Sequence, residues 1–348
     1  MQELNVVGLD LAKNVFQVHI ANAQGKKIGG RRLKRAEMLS YFAQLPKSVV
    51  GMEACGGAHY WGREIKALGH EVKLMAPQYV KAYVQRDKSD TRDAAGISEA
   101  AGRASVPAVA LRSLESQQLQ ALHRVRELWM KQRVATANQI RGLLSEYGEV
   151  FSPGMKALRE GARDWLGRAG ENYGVLKGMV EALLEVLKGL EERISALEAQ
   201  LLSLHRGNAA SRLIEAIPGV GLLSATAAVA AFGRCEGFAG ARQFACALGL
   251  TPREHSSGEK QQRLGISKRG NRYVRKLFVH GARSVLKARI NHPAHAEDWV
   301  VRLAKRRGHN IAVVALAAKN ARCIWAMLRT GEVYRTQKTP KAAPAAVN

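Results

Sequence analysis

The side chains with the most chemical reach in this sequence are four carboxylates, Asp10, Glu53, Asp90 and Asp93. Asp10 closes the apolar run Val6-Val7-Gly8-Leu9, and Glu53 closes Val49-Val50-Gly51-Met52. An acid at the end of a core strand is costly without a partner. Asp90 and Asp93 stand at i and i+3 where a helix should begin, so they share one side of it. Were the two strands neighbours with that helix laid across them, the four acids would meet. Such an oxygen-only cluster needs cations to offset its repulsion and suits Mg2+ or Mn2+; two ions roughly 3.5–4 Å apart serve phosphoryl transfer. Each acid also has a plainer use: Asp90 as a helix N-cap, Asp93 as a partner of the helix dipole, Asp10 as a turn former.

A second constellation runs from Gly249-Leu-Thr-Pro-Arg253 through Ser256-Ser257-Gly258 to Ile266-Ser-Lys268-Arg269-Gly-Asn271-Arg272. A hydroxyl between basic flanks can face a phosphodiester, with Arg253, Lys268, Arg269 and Arg272 offsetting the charge that develops there. No general base is identifiable beside it, and a solvated loop whose serines bond only to backbone fits the same residues. Further upstream, Ile217-Pro-Gly219-Val-Gly221 lies between two helical stretches, 212–216 and 222–232, in the form of a helix-hairpin-helix turn. Gly219 and Gly221 either open backbone N–H groups to a phosphate at a helix N-terminus or simply permit a tight turn.

Strands and helices alternate in the part of the chain that must hold the acids. Apolar runs and alternation predict strands at 6–10, 15–20, 27–33, 48–53 and 71–75, and helices at 36–45, 60–68 and 90–104. That is a mixed α/β domain over 1–110 with a hairpin-rich start. Long helices follow over 111–208. From Leu176 through Val180, Leu183, Leu187, Leu190, Ile194, Leu197 and Leu201 to Leu204 the apolar spacing alternates between four and three, a heptad seam. An earlier helix through Leu119, Leu122, Val125 and Trp129 stops near Ser152-Pro153-Gly154, so two antiparallel helices, alone or with a partner chain's pair, are expected. A helical region over 209–332 and a Lys-, Pro- and Ala-rich, disordered tail over 333–348 complete the chain.

With 348 residues, 47% of them hydrophobic, the chain can bury a core in about two domains. Its net charge is +25, of which 251–348 carry +16, against +6 for 1–110 and +3 for 111–250. That excess fits poorly with a small-molecule enzyme and well with a nucleic-acid backbone, whose neutralised phosphates release counterions. No apolar run approaches the roughly 18–20 residues that span a bilayer, and Asp10 and Lys13 interrupt the opening apolar stretch, so neither a membrane segment nor a signal peptide is expected. The expected location is cytoplasmic, at the nucleoid. Cys55, Cys235, Cys246 and Cys323 lack zinc spacing and read as small buried residues.

Gly8-Leu-Asp10-Leu-Ala12 by itself resembles the first phosphate segment of actin-like sugar kinases, but the charge and the lack of a later Gly-rich adenosine loop count against that chemistry. The ordered set Gly8-Leu-Asp-Leu-Ala-Lys13, Met52-Glu-Ala-Cys-Gly-Gly-Ala-His-Tyr-Trp61, Lys88-Ser-Asp-Thr-Arg-Asp-Ala94, Ile217-Pro-Gly-Val-Gly221 and Gly249-Leu-Thr-Pro-Arg253 onward to Asn271 resembles the DEDD-type bacterial insertion-sequence transposases, relatives of the pilin-gene invertases. Met52–Trp61 is most similar to the subgroup whose elements end in short inverted repeats.

The resemblance implies a RuvC-like (ribonuclease H-like) first domain, a coiled-coil middle and a transposase C-terminal domain. It implies that Asp10, Glu53, Asp90 and Asp93 bind Mg2+ or Mn2+, two ions per site. It implies a serine nucleophile at the position before the Gly, here Ser257 with Ser256 adjacent, that holds DNA as a phosphoserine ester. It further implies a site shared between subunits of a homo-oligomer joined through the coiled coil, duplex DNA as substrate, and a non-coding guide RNA. Rival readings are an invertase of the same family, a structure-selective metal-dependent nuclease using water, and a non-catalytic helix-hairpin-helix DNA-binding protein.

Overall fold

In the computed structural model, which describes residues 4–84, 89–257, 260 and 262–335, the valine-rich runs are strands. Lys88, Gly258 and the expected tail beyond residue 335 lie outside the described residues. The chain divides into two compact units: residues 1–115 with 235–239, and the remainder.

The first unit is built on a six-stranded sheet. Its strands are β1 (Asn5–Asp10), β2 (Val15–Ala21), β3 (Lys27–Lys34), β4 (Ser48–Glu53), β5 (Glu71–Met75) and β6 (Ala108–Val109), in the order β3-β2-β1-β4-β5-β6. β1, β2 and β3 form an antiparallel meander, β4 and β5 run parallel to β1, and β6 returns antiparallel. The helices are α1 (Met38–Gln44), α2 (Ala58–Ala67), α3 (Pro77–Val80) and α4 (Asp90–Gly102). The two-residue period of a strand sorts its side chains. Val7, Leu9, Val50 and Met52 bury one face against Met38 and Phe42 of α1 and Trp61 and Ile65 of α2. The opposite face of β1 and β4 carries Gly8 and Gly51, and there α4 packs on the strands backbone to backbone. A Cβ on Gly8 would stand 2.0 Å from the Ala94 carbonyl oxygen, and one on Gly51 2.5 Å from Cβ of Ala101.

The second unit is helical. α5 (Leu114–Ser145), α6 (Met155–Arg168) and α7 (Gly174–Gly207) are followed by α8 (Ala209–Glu215), α9 (Leu222–Phe232), α10 (Ala241–Ala247), the hairpin β7 (Pro252–Glu254) and β8 (Arg263–Ile266), α11 (Arg272–Ile290), α12 (Trp299–Arg307) and α13 (His309–Thr330). α5 and α7 are antiparallel: Arg126 donates to Glu198 at 2.7 Å, and seven residues on Arg133 donates to Glu191 at 3.0 Å. The middle region holds three helices where the heptad pattern suggested two. α6 supplies Leu158, Ala162 and Trp165 at i, i+4 and i+7, which close on Ile140 and Leu144 of α5 and on Leu176, Val180 and Leu187 of α7. Farther along, Leu197 and Leu201 pack on Leu119 of α5 and Ala230 of α9. The seam is therefore filled largely by the chain's own helices. Each buried leucine contributes about 1.5–3 kcal/mol, against about 0–1 kcal/mol for a partly exposed ion pair, so apolar packing sets this arrangement.

One sequence expectation needs correcting. α13 is long and apolar enough to cross a membrane by length and composition, and half of its most apolar stretch is buried inside the unit. Ala312, Val313, Leu316, Ala317, Ala321 and Ile324 form the buried side of this core helix.

Candidate active site

Asp10 and Glu53 occupy the ends of adjacent parallel strands. The ladder pairs Gly8 with Gly51 and Leu9 with Met52, so the two acids are its next step. They lie two residues beyond the glycines and therefore project from the face that α4 covers. α4 runs back along β1: Ser98 Oγ donates to the Val6 carbonyl at 3.2 Å, and Ala94 sits over Gly8. Two strand residues advance about 6.6 Å and four helical residues about 6 Å, which brings the first turn of α4 level with the strand ends. The sheet-facing stripe of α4 is Ala94, Ile97, Ser98 and Ala101, all buried, and its continuation one turn earlier is Asp90 and Asp93. Sheet register sets Asp10 beside Glu53 at the strand ends, and helix phase places Asp90 and Asp93 on the first turn of the stripe that faces the sheet.

The plainer use of Asp90 does not hold. Ser89 caps α4, its side chain accepting from the Arg92 amide, which leaves Asp90 and Asp93 as first-turn acids that favour the positive end of the helix dipole. Among the described residues no three His, Cys, Asp or Glu side chains close into a ready metal cage. All four side chains are hard oxygen donors, a type that suits Mg2+ or Mn2+. Cys55 corrects another expectation: Cys55 and Cys246 are exposed and Cys323 is half-buried, with Cys235 alone buried. The Cys55 thiol is pushed up by partial desolvation, then by the charges of Glu53 and, more weakly, Asp10, so both carboxylates are within electrostatic reach of it.

The expected serine loop is carried by a hairpin that no strand signal announced. β7 pairs with β8, and Ser257 bridges Lys260 beyond them. Ser256 Oγ donates to Glu254 Oε1 at 3.0 Å and accepts from the Gln262 amide at 3.4 Å. Ser257 is exposed, and its hydroxyl has no hydrogen-bond partner among the described residues.

Arg253, Lys268, Arg269 and Arg272 are all exposed. The turn holding the last three is tied down by backbone: the amides of Ser267, Lys268 and Asn271 donate to the carbonyls of Thr251, Gly249 and Ala247. Lys268 adopts φ +55°, an unusual conformation for a side-chain-bearing residue, and Asn271 caps α11. Arg275, which the sequence reading passed over, donates to the carbonyls of Leu248 at 2.8 Å and Arg269 at 2.9 Å, so it holds this turn together. Partial burial and the neighbouring Arg272 push its guanidinium below the usual value.

The two glycines of the 217–221 turn do different things. Gly219 has φ +86° and touches Gly281 of α11 backbone to backbone; a Cβ on Gly281 would stand 1.9 Å from the Gly219 carbonyl oxygen. Its role is packing. Gly221 meets nothing within 4 Å of a built Cβ and opens α9 without a side-chain cap, so it is the one of the pair whose surroundings leave room for a ligand.

Two buried histidine networks went unforeseen, because nothing in local sequence reveals partners a hundred residues away. His123 Nδ1 lies 3.0 Å from Tyr273 Oη and Nε2 lies 3.0 Å from Thr226 Oγ1, which itself donates to the Leu222 carbonyl at 2.6 Å. The threonine proton being committed, Nε2 carries the imidazole proton and Nδ1 accepts from Tyr273. Burial, and then Arg126, lower the His123 pKa to about 4, so the ring is neutral. Arg126 donates to Tyr273 as well as Glu198, and the chain of contacts links α7, α5, α11 and α9. The second network, Ser211–His205–Glu215 at 2.7 and 2.8 Å, has the composition of a catalytic triad, but Ser211 is wholly buried and the set joins α7 to α8.

Comparison with known proteins places the chain in a family. Residues 211–299 match the family model described as "Transposase IS116/IS110/IS902 family". Residues 7–149 match the IS110-type DEDD model described as "Transposase". Among similar proteins, a "Probable family 20 transposase" of Pseudomonas aeruginosa is 45% identical over 336 residues, covering 95% of this chain and 99% of its own. The "Transposase for insertion sequence element IS1111A" of Coxiella burnetii is 41% identical, covering 96% and 92%. The "Transposase for insertion sequence element IS1328" of Yersinia enterocolitica is 32% identical, covering 96% and 99%. With acids and serine set on such a scaffold and relatives matched along almost their whole length, the chain belongs to the IS110/IS116/IS902 family of transposases.

Proposed function

We propose that this transposase excises and inserts its own element by cleaving DNA in a RuvC-like (ribonuclease H-like) acidic site and holding the cut strand on Ser257. In the proposed step the Ser257 Oγ attacks a DNA phosphorus and loses its proton. The bond from phosphorus to a deoxyribose oxygen breaks, and the DNA hydroxyl departs with a proton. A phosphoserine ester remains, so no phosphodiester energy is lost to water. The hydroxyl of a second DNA end then attacks the ester and releases the serine. Asp10, Glu53, Asp90 and Asp93 would hold divalent metal, Mg2+ or Mn2+ and two ions by family resemblance, which when bound supplies Lewis-acid stabilisation of the phosphoryl charge. Arg253, Lys268, Arg269 and Arg272 bind backbone phosphates and carry no sequence information themselves. A guide RNA pairing with DNA is the proposed source of specificity, on family resemblance, and the place of action is wherever the cell keeps its DNA.

Two or four copies assembling a shared site is part of the proposal. Because the heptad seam is filled largely from within, the outward face of α7, with Val175 78%, Met179 53% and Val186 51% exposed, supports association better than the seam does. The observation that supports the whole reading is the pairing of the β1 and β4 ends that carry Asp10 and Glu53, with Asp90 and Asp93 continuing the sheet-facing stripe of α4. The test is trapping protein covalently attached to cleaved element-end DNA. Wild type and Ser256→Ala should form the adduct and Ser257→Ala should not; recombination by Ser257→Ala near the wild-type rate would refute the serine chemistry.

A further inference from the structure

The largest hollow described in the helical unit, about 1180 Å³, lies between the hairpin and α13. Its character is divided. From the hairpin side come Leu250, Pro252, Leu264 and Ile266, and from α13 come Ile311, Val314, Ala315 and Ala318. The α13 residues recur at i, i+3, i+4 and i+7, so one stripe of this long apolar helix is exposed or only partly covered while its opposite side is core. Ile311 is 51% and Leu264 40% exposed. Around this aliphatic floor stand Arg242, Arg307, Lys319 and Arg322, and none of the described lining residues is acidic. The lining holds one aromatic ring, Trp299, with Lys319 Nζ 5.1 Å over it.

The hollow does not end at the hairpin. Arg242, Thr251 and Pro252 also line a neighbouring hollow of about 470 Å³ that extends to Arg253 and Glu254. Glu254 is the residue that binds Ser256, and Ser257 follows. A path with Arg242 and Arg253 on its rim thus runs from Glu254, three residues before Ser257, to the apolar floor.

A ligand that fits both halves has flat apolar faces and a row of anionic charges. A duplex does not, because its base faces are stacked away and its phosphates would be pressed on aliphatic carbon. An unpaired strand does: bases lie on the floor and phosphates reach the cations. We propose that this groove binds an unpaired nucleic-acid strand that leaves the Ser257 hairpin along β7, lays its bases between β8 and α13, and is held by Arg242, Arg307, Lys319 and Arg322. The strand's starting point rests on the proposed role of Ser257; the groove's chemistry does not.

The full-length protein is irradiated with a single-stranded oligonucleotide carrying 5-bromodeoxyuridine, and crosslinked peptides are mapped. In parallel, the affinities of a labelled single strand and of its duplex are measured for wild type, Lys319→Gln/Arg322→Gln and Ile311→Asp. Crosslinks should fall on Trp299 or on peptides of β8 and α13. Both variants should weaken single-strand binding tenfold or more while duplex binding changes less than threefold. Because the wild-type crosslink needs no substitution, misfolding of Ile311→Asp leaves the test intact. Crosslinks confined to other surfaces, or an equal fall for both ligands, overturn the proposal. Unchanged strand binding with loss of self-association in Ile311→Asp, by sedimentation, overturns it in favour of a second copy as occupant. Ser257→Ala separates the two readings: an adduct that persists refutes the serine chemistry alone, whereas absent groove crosslinks refute the strand site alone.

Discussion

His123 offers a sharp numerical test, since its neutral state is dictated by named neighbours. The ring is 2% exposed and is bonded on both nitrogens, and its pKa is lowered to about 4 from 6.5, first by burial and then by Arg126. Between these values the unfolded chain takes up a proton that the folded protein refuses, so stability rises with pH across that window. The contribution is fully present above pH 6.5 and is lost as pH falls toward 4. At 1.36 kcal/mol per unit, lowering the pH from 7 to 5 costs about 2 kcal/mol from this residue. Other groups titrate in the same range, so the quantity to measure is the stability difference between wild type and His123→Gln, which keeps a donor and an acceptor but no titration. Urea unfolding of the helical unit at pH 7 and pH 5 gives it. The advantage of wild type should shrink by about 2 kcal/mol at the lower pH. A difference that stays constant within about 0.5 kcal/mol would refute the buried neutral imidazole and the tautomer assigned to it.

Asp90→Asn should abolish strand cleavage while leaving DNA affinity within about threefold, measured by cleavage and gel-shift on the same preparation; a tenfold loss of binding would make the acid structural. Arg272→Gln should lower the slope of log affinity against log salt by about one unit, while unchanged salt dependence would place this side chain away from phosphate. Gly281→Ala should cost about 1–3 kcal/mol in thermal unfolding, because its Cβ would stand 1.9 Å from the Gly219 carbonyl oxygen; a neutral outcome would contradict the close contact of that turn with α11.

The strands of the first unit were legible because valine-rich runs bounded by glycine and charge leave few alternatives, and Asp10 and Glu53 were marked by ending such runs. The adjacency of those strands and the phase of α4 beneath Asp90 and Asp93 were legible only as conditionals, since both are tertiary facts. α6 escaped notice because Leu158, Ala162 and Trp165 cover only two turns beside a strong heptad pattern. The hairpin escaped because β7 and β8 are only three and four residues long, too short for an alternating pattern to stand out. The apolar length of α13 was missed because Lys319 and Arg322 break its run of apolar letters, although they stand on the side away from the core. The helix-hairpin-helix form was visible, but the division of labour between Gly219 and Gly221 depends on Gly281, sixty positions downstream. His123, Tyr273 and Thr226 lie on three helices, and no local pattern joins them.

The direct seating of α4 on β1 and β4 has a mechanical corollary. Methyl and methylene groups act as shims, and a surface padded with them drifts whenever one is exchanged. Where Gly8 and Gly51 meet Ala94 and Ala101 there is almost no padding to exchange, so the distance of α4 from the strands is set on a different face from the one that Val7, Leu9, Phe42 and Trp61 fill. Volume-conserving exchanges among those side chains should therefore leave the seat of α4 on the two strands in place.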